Sequence, residues 1–476
     1  MTWNLASVWE SVADAVGDRV ALVHGDQRTT WREFDDRSAR LAAALREAGL
    51  GVDSKVASYL YNSNEYVEGV FATFKLRAIP VNVNYRYTED ELLYLLDNSD
   101  AEAVLFHSSL GDRVAAVKDR APLVKAWIEV DDGSEHQPFA DRYEEVIASH
   151  DPMPRIERSE DDMYFLYTGG TTGMPKGVMW RAGDLWGVLA GSTYALVGKQ
   201  PPASLDDVGR VAKELADEGR DIAHLPASPL MHGTGAFSSF QSMFLGGCIV
   251  TLTGRHFDAH ELWQTVQRER VTQGAIVGDA FAKPMLKALE EAEDRGEPYD
   301  LSSLILLISS GVMFSSEVKK GLMQRGQFIC FDSLGSSEGV GFANAITAPG
   351  GEQTTAKFTI GPEARVLKED GVEVTPGSDE VGMLAVGGNI PVGYYKDESK
   401  SAATFRVVNG KRWSIPGDFA RVEEDGTIVL LGRGSVVINS GGEKIYPEEV
   451  EEAVKLNPAV ADCLVVGVPD DRFGEA

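Results

Sequence analysis

The sequence predicts an α/β protein with largely parallel sheets, then a small antiparallel β unit, then a return to helix and strand. Three observations carry this. Amphipathic helical segments alternate with short apolar strands through the first 150 residues. The alternation resumes beyond residue 222. Residues 355 to 430 then change character: RVLK, GMLAVGG and TIVLLG are separated by Gly, Pro and Asp, the punctuation of antiparallel strands.

Each element follows from its residues. Leu5, Val8, Trp9 and Val12 repeat at helical spacing and predict a surface helix covering a core. Docking of the same stripe on a membrane is the weaker alternative, because its polar face is acidic. VALVHG and RTTWREF read as a hairpin around Gly25-Asp26, and Phe34 to Ala48 as an amphipathic helix. Lys55 to Leu60 and Ile79 to Val83 read as strands flanking a helix from Asn64 to Leu76, and Ala101 to Phe106 as a further strand. Residues 195 to 222 are polar and contain Pro201-Pro202, so they read as a surface excursion. Strands follow near Cys248 to Leu252, Gly274 to Val277 and Leu304 to Ile308. From Tyr446 the pattern is helical, with Pro447 at a first helical position and Glu448, Glu449, Glu451 and Glu452 in the early turns. ADCLVVGV then reads as a strand. There is no internal repeat and no low-complexity segment.

Composition narrows the function classes. The 476 residues carry 45 Lys plus Arg against 73 Asp plus Glu, a net charge of −28. Broad nucleic-acid binding needs surplus cations and is excluded. Hydrophobic residues are 43% and charged residues 25%, ordinary values for an ordered chain of about two to four domains or subdomains. Cys248, Cys330 and Cys463 lie far apart with no CxxC pair, which indicates neither a zinc site nor a disulfide framework and suits a reducing cytoplasm. The N-terminus has no basic region and long apolar core, so no signal peptide is expected. No stretch reaches the about 18 apolar residues of a membrane span, so membrane contact is at most peripheral.

The strongest local signal is a loop. The apolar run Tyr164-Phe165-Leu166-Tyr167 leads into Thr168-Gly169-Gly170-Thr171-Thr172-Gly173-Met174-Pro175-Lys176-Gly177. Glycines let backbone N–H groups converge on an anion, threonine hydroxyls add donors and Lys176 adds positive charge. That chemistry suits a polyphosphate, where a plain turn would need neither the threonines nor the lysine. It is not a Walker A loop, since Lys176 precedes Gly177 rather than Ser or Thr, and both flanks read as strand.

TGGTTGMPKGV resembles the phosphate loop of the adenylate-forming superfamily of acyl-CoA synthetases, peptide-synthetase adenylation domains and luciferases. Further segments in the expected order extend the resemblance over nearly the whole chain. It implies a large N-terminal domain (1–432) with two α/β sheet subdomains (about 1–350) and a small β-barrel-like subdomain (about 355–430). A hinge (433–435) and the start of a small C-terminal α+β domain (436–476), only partly present, would follow. The Thr168–Lys176 loop would hold ATP phosphates through Thr168, Gly169, Gly170, Thr171, Thr172, Gly173 and Lys176.

The other matching segments receive roles in the same way. Pro229-Leu230-Met231-His232-Gly233-Thr234-Gly235 resembles the segment whose ring side chain gates the acyl pocket, although a lone His232 would read as a structural histidine. Ser309-Ser310-Gly311-Val312 resembles the turn that runs along adenine and acyl group, giving Ser310 and Gly311 nucleotide contacts. The acyl pocket would be lined by His232 together with Asp279, Ala280 and Gly311, the last three within the stretches Val277–Phe281 and Ser310–Val312. Asp332-Ser333-Leu334-Gly335-Ser336-Ser337-Glu338-Gly339 resembles the segment whose carboxylate, here Glu338, holds Mg²⁺ on the phosphates. Asp332, Ser333, Gly335 and Ser337 would sit beside the nucleotide, and Leu334 departs from the usual aromatic.

Trp413-Ser414-Ile415-Pro416-Gly417-Asp418 resembles the segment whose carboxylate, Asp418, accepts from both ribose hydroxyls. Arg433 would reach ribose or phosphate, and Ser435 matches the hinge position. Gly441 and Gly442 belong to the loop that lets the CoA arm approach. Catalytic weight thus falls on Thr168, Lys176, His232 and Glu338. The family's further C-terminal lysine has no match before Ala476, which implies that the polypeptide as given adenylates poorly.

The resemblance therefore implies an ATP-dependent acyl-CoA ligase with Mg²⁺ and CoA, acting on a hydrophobic acid, most like bacterial fatty-acid or steroid-side-chain ligases. An acyl-AMP ligase serving a carrier protein, an aryl-acid ligase and an impaired nucleotide-binding fragment are the alternatives. No nucleic-acid partner is implied, and a homo-oligomer stays open.

Overall fold

In a computed structural model of the protein, the described residues are 3–170, 173–351, 357–433, 438–440, 443–445, 447, 450–451, 454, 460, 463–470 and 474–475. The chain divides into two compact units. The first comprises Met1–Asp332, Ile346–Gln353 and Pro391–Glu398, and the second Ser333–Ala345, Thr354–Ile390 and Ser399–Ala476.

The first unit is built on two sheets with helices between their strands, the α/β arrangement expected from the alternating pattern. One sheet has the strand order Gly393–Tyr394, Gly173–Arg181, Met163–Gly170, Ile79–Asn82, Lys55–Tyr59, Ala101–His107, Ala126–Val130 and Asp141–Arg142. Its pairs are parallel from Met163–Gly170 to the last strand, while the two strands at the other edge pair antiparallel. The other sheet runs Gln27–Thr30, Val20–His24, Cys248–Thr251, Ala223–Pro226, Gln273–Ile276 and Leu306–Ser310. All its pairs after the first hairpin are parallel. Parallel strands covered by helices are buried on both faces, which is why they read as short apolar runs rather than alternating ones.

The N-terminal helix spans Leu5–Val16 and is capped by the Asn4 side chain. Leu5, Val8, Trp9 and Val12 are fully buried, with the Trp9 ring 5.3 Å from both Phe71 and Phe240, so the apolar stripe is core and not a membrane-facing surface. The hairpin after it ends earlier than RTTWREF suggested. Thr30 and Glu33 form a capping box, and the helix runs Trp31–Glu47, so Trp31 leaves the strand.

Residues 195 to 222, expected as a polar surface excursion, contain the helix Leu205–Asp217, one face of which is buried. Ser204 caps it by accepting the Asp207 amide at 3.1 Å. Val208, Val211, Ala212 and Leu215 form a buried stripe, while Asp206, Arg210, Lys213 and Asp217 between them give the stretch its polar look. No helix among the described residues is long and apolar enough to cross a membrane.

The second unit is antiparallel, as the turn-rich stretch predicted. Ala343–Asn344, Lys357–Ile360, Thr427–Arg433, Asp418–Val422, Val381–Val386, Lys411–Ser414 and Phe405–Val408 pair in sequence, and Ala364–Leu367 pairs with Val381–Val386. Leu367, Ala385, Trp413 and Ile415 form a small buried cluster. Near the C-terminus, Ile438–Ser440 pairs antiparallel with Glu443–Ile445. Pro447, Val450, Glu451 and Val454 are helical. Of ADCLVVGV, expected as a strand, the described residues 463–468 carry no sheet pairing, and the Val465 amide donates to Glu451 Oε1 at 2.8 Å.

Candidate functional site

In the first unit, the glycine-threonine loop is the tip of an antiparallel hairpin made by Met163–Gly170 and Gly173–Arg181. Thr168 faces Lys176 and Gly170 faces Gly173, with a register shift between Thr168 and Gly170 that makes room for Gly169. Thr171 and Thr172 lie outside the described residues. Gly177 is required by packing: a Cβ there would lie 2.6 Å from the Tyr167 ring. The Lys176 ammonium pairs with Asp397 and lies 5.9 Å from the centroid of the Tyr394 ring. Both partners come from the Pro391–Glu398 segment, whose Gly393–Tyr394 strand covers the hairpin's outer edge.

His232 caps the helix Gly233–Phe244: its carbonyl accepts the Ala236 amide at 2.9 Å. His232 is exposed at the surface, yet desolvation by the surrounding protein and the Arg86 guanidinium lower its pKa below the ordinary histidine value. A neutral imidazole at neutral pH follows. Gly233 lies against Leu166, with a built Cβ 3.5 Å from that side chain, so the His232 turn sits beside the strand that carries the loop.

The two segments expected to line an acyl pocket meet at the carboxyl ends of adjacent parallel strands. Ser309 Oγ accepts the Gly278 amide at 3.0 Å, and the Met313 carbonyl accepts the Asp279 amide at 2.8 Å. Ala280, Gly311 and Val312 are exposed and Ser310 is half-buried. The Asp279 carboxylate braces the neighbouring turn, accepting the Ser315 amide at 2.9 Å and the Ser315 hydroxyl at 3.1 Å. Asp332 is buried, and its carboxylate is held by the buried Lys319 ammonium. Burial raises its pKa above the usual carboxylate range, and Lys319 opposes the rise.

In the second unit, Ser337 and Glu338 occupy the turn before Gly339–Thr347, both half-buried, as are Ser333 and Gly335. The Glu338 amide donates to Ser336 Oγ at 3.2 Å, and its carbonyl accepts the Ser414 hydroxyl at 2.6 Å. That second bond ties the turn to the strand entering the Asp418 segment. Gly417, at φ 103°, makes the bend that only glycine takes easily, and Asp418 then faces Arg433 across the strand pair. The Arg433 side chain, and Ser435, Gly441 and Gly442 altogether, lie outside the described residues.

Mg²⁺ would therefore find one carboxylate, Glu338, on a backbone fixed from two sides. No group of three or more His, Cys, Asp or Glu placed for a metal occurs among the described residues. A hard ion that takes its other ligands from phosphate and water fits this, because it needs only one or two protein carboxylates.

Sequence reasoning missed Asn62, Asn82 and Asp397, which contact the loop or the His232 turn. Asn82 had one visible signal, an amide closing the apolar strand Ile79–Asn82.

The family described as AMP-binding enzyme matches residues 9–395. Over its full length the chain is 47% identical to a 3-oxocholest-4-en-26-oate--CoA ligase of Rhodococcus rhodochrous, covering 86% of that protein. It is 44% identical, over 99% of its length and 86% of the relative, to a medium/long-chain-fatty-acid--CoA/3-oxocholest-4-en-26-oate--CoA ligase of Mycobacterium marinum. In fold it is similar to the anthranilate CoA ligase AuaEII in complex with anthranoyl-AMP, at TM-score 0.83 and 21% identity, with 98% of this chain and 85% of that one covered. ATP-bound MatB from Rhodopseudomonas palustris aligns at TM-score 0.80 and 24% identity, covering 100% of this chain and 88% of that one.

Proposed function

The chain belongs to the AMP-binding enzyme family, and on that premise we propose that it activates a hydrophobic carboxylic acid with ATP and passes the acyl group to CoA. The observation that carries this is the 47% identity, along the whole chain, to a CoA ligase for a steroid side-chain acid. The acid is accordingly a medium- to long-chain fatty acid or a sterol-derived acid.

In the first half-reaction a carboxylate oxygen attacks the α-phosphorus of ATP, the bond to the β-phosphate oxygen breaks, and pyrophosphate leaves. The acid already carries charge, so positioning and charge stabilisation do the work and no general base is needed. In the second half the CoA thiolate attacks the acyl carbon and AMP leaves with the anhydride oxygen. The Thr168–Lys176 loop binds the β- and γ-phosphates, with Gly170, Thr171, Thr172 and Gly173 supplying amides and hydroxyls. Asp418 and Arg433 hold the ribose, and Ser310, Gly311, Asp332, Ser333, Gly335 and Ser337 border the base. Glu338 would hold Mg²⁺, which would supply charge neutralisation at the phosphates. His232, kept neutral, stands at the acyl pocket without adding a cation that would hold the carboxylate back. Gly441 and Gly442 admit CoA, and Ser435 is the hinge between the two half-reactions.

The test is one thioester assay with ATP, Mg²⁺ and CoA over a panel of fatty, sterol side-chain and aryl acids. Thioester and AMP should form in equal amounts with fatty or sterol acids. No CoA thioester from any acid, or a clear preference for aryl acids, would overturn the assignment.

A further inference from the structure

Asn82 ends a parallel strand of the first unit and is only 5% exposed. Its side-chain oxygen accepts the Tyr167 amide at 2.6 Å. Its side-chain nitrogen donates to the Tyr167 carbonyl at 2.8 Å and to the Met231 carbonyl at 2.6 Å. The orientation of the amide is settled by its partners, since the oxygen faces an N–H and the nitrogen faces two carbonyls. Tyr167 precedes Thr168, the first residue of the phosphate loop, and Met231 precedes His232. One buried side chain thus holds the backbone next to both.

The sheet explains why a side chain is needed. The strands Ile79–Asn82 and Met163–Gly170 pair at Val81↔Phe165. Beyond that point Asn82 takes over from the backbone ladder, satisfying both peptide groups of Tyr167. The turn before His232 is held in the same manner. Asn62 accepts the Leu230 amide at 2.7 Å and donates to the Pro226 and Ser228 carbonyls at 3.2 Å each. The Tyr66 hydroxyl donates to the Leu230 carbonyl at 3.2 Å. Of these side chains, Asn82 is the one that touches the loop strand and the His232 turn together. An apolar residue at 82 would pack well but strand three backbone groups, each costing about 1–3 kcal/mol if buried unpaired.

We propose that Asn82 is a positioning residue: it locks the phosphate-loop hairpin and the His232 turn into one register, so that nucleotide and acid meet in reacting geometry. This rests on the functional reading above. Loss of the lock should lower turnover more than binding, because each half of the site can still take its own ligand while their relative placement loosens.

The experiment compares wild type with Asn82→Asp, Asn82→Ala and Val81→Ala. The aspartate keeps the acceptor for the Tyr167 amide but sets a carboxylate against two carbonyls. Val81, fully buried on the same strand, is the control for lost packing alone. Two quantities are read: amide hydrogen exchange of the peptides 163–181 and 228–236, and the kinetics of acid-dependent acyl-AMP formation. Both Asn82 variants should raise exchange in the two peptides together, and should lower kcat by at least about tenfold with KM for ATP and acid changed much less. Val81→Ala should do neither at a matched loss of thermal stability. Exchange that rises in one peptide only, or a kcat loss no larger than that of Val81→Ala, overturns the proposal. If wild type forms no acyl-AMP from any acid, the functional reading fails and takes the catalytic part of the proposal with it. If wild type turns over and Asn82→Asp does too, only the positioning role fails.

Discussion

Lys176 and Asp397 lie 221 residues apart in sequence, and their ion pair occupies the one cation of the phosphate loop. Neutralising the acid should free that cation. Asp397→Asn is therefore expected to lower the KM for ATP by about two- to fivefold, the range of a partly exposed ion pair, and an ATP titration checks it. Glu338→Ala and Asp418→Ala should each slow acyl-AMP formation by about a hundredfold with little change in melting temperature, since neither side chain is core. Unchanged turnover at saturating ATP in both would remove them from the site. Gly278 has φ 48° and no space for a Cβ beside the Met313 and Val312 carbonyls. Gly278→Ala should cost about 2–4 kcal/mol, read by chemical denaturation, and raise the KM for acid. The loop residues were legible as candidates because they stand in a run of unusual composition, and Glu338 and Asp418 as candidates because their segments resemble the family's. Asn82 and Asp397 were not, because a single polar residue carries no spacing signal and its partners are far along the chain.

At the scale of elements, the legible ones had an uninterrupted period. Asn64 to Leu76 was expected as a helix and forms Asn64–Lys75, and Ile79 to Val83 was expected as a strand and forms Ile79–Asn82. Boundaries moved where a cap intervened, as at Thr30, whose pairing with Glu33 outweighs the β preference of Thr29-Thr30-Trp31. The helix Leu205–Asp217 was hidden because two prolines precede it and charged residues separate its apolar positions. Its packing is close: a Cβ on Gly209 would lie 2.8 Å from the Ser11 carbonyl oxygen and 3.0 Å from its hydroxyl. Gly209→Ala should therefore destabilise the protein by about 1–3 kcal/mol, seen as a lower melting temperature, with both KM values unchanged because neither helix carries a proposed ligand contact. A neutral or stabilising result would mean that the two helices can part without strain.

For the whole molecule, the α/β class followed from alternation, whereas strand order did not, because Val20–His24 pairs with Cys248–Thr251 across more than two hundred intervening residues. That long-range closure buries polar groups as well as apolar ones, and it sets how the protein responds to acid. His224, on the neighbouring strand, is fully buried. Its Nε2 lies 3.0 Å from Ser238 Oγ, and its Nδ1 has no hydrogen-bond partner among the described residues. Burial pushes its pKa down to about 3. In the unfolded chain it would titrate near the ordinary value of about 6.5, so between these limits the unfolded state binds more protons. The stability this neutral ring preserves is complete above about pH 6.5 and is lost as pH falls toward about 3, at up to about 1.4 kcal/mol per pH unit. The −28 net charge complicates acidification, because protonating surface carboxylates relieves their mutual repulsion over part of the same range. Comparing wild type with His224→Leu in identical buffers cancels that contribution. The Ser238 hydroxyl keeps the Thr234 carbonyl as acceptor at 2.6 Å, so the variant strands no donor there. Denaturant unfolding at several pH values between about 7 and 4.5 should show wild type losing stability more steeply than the variant. Parallel curves would mean that the buried imidazole is not a group whose protonation opposes the fold.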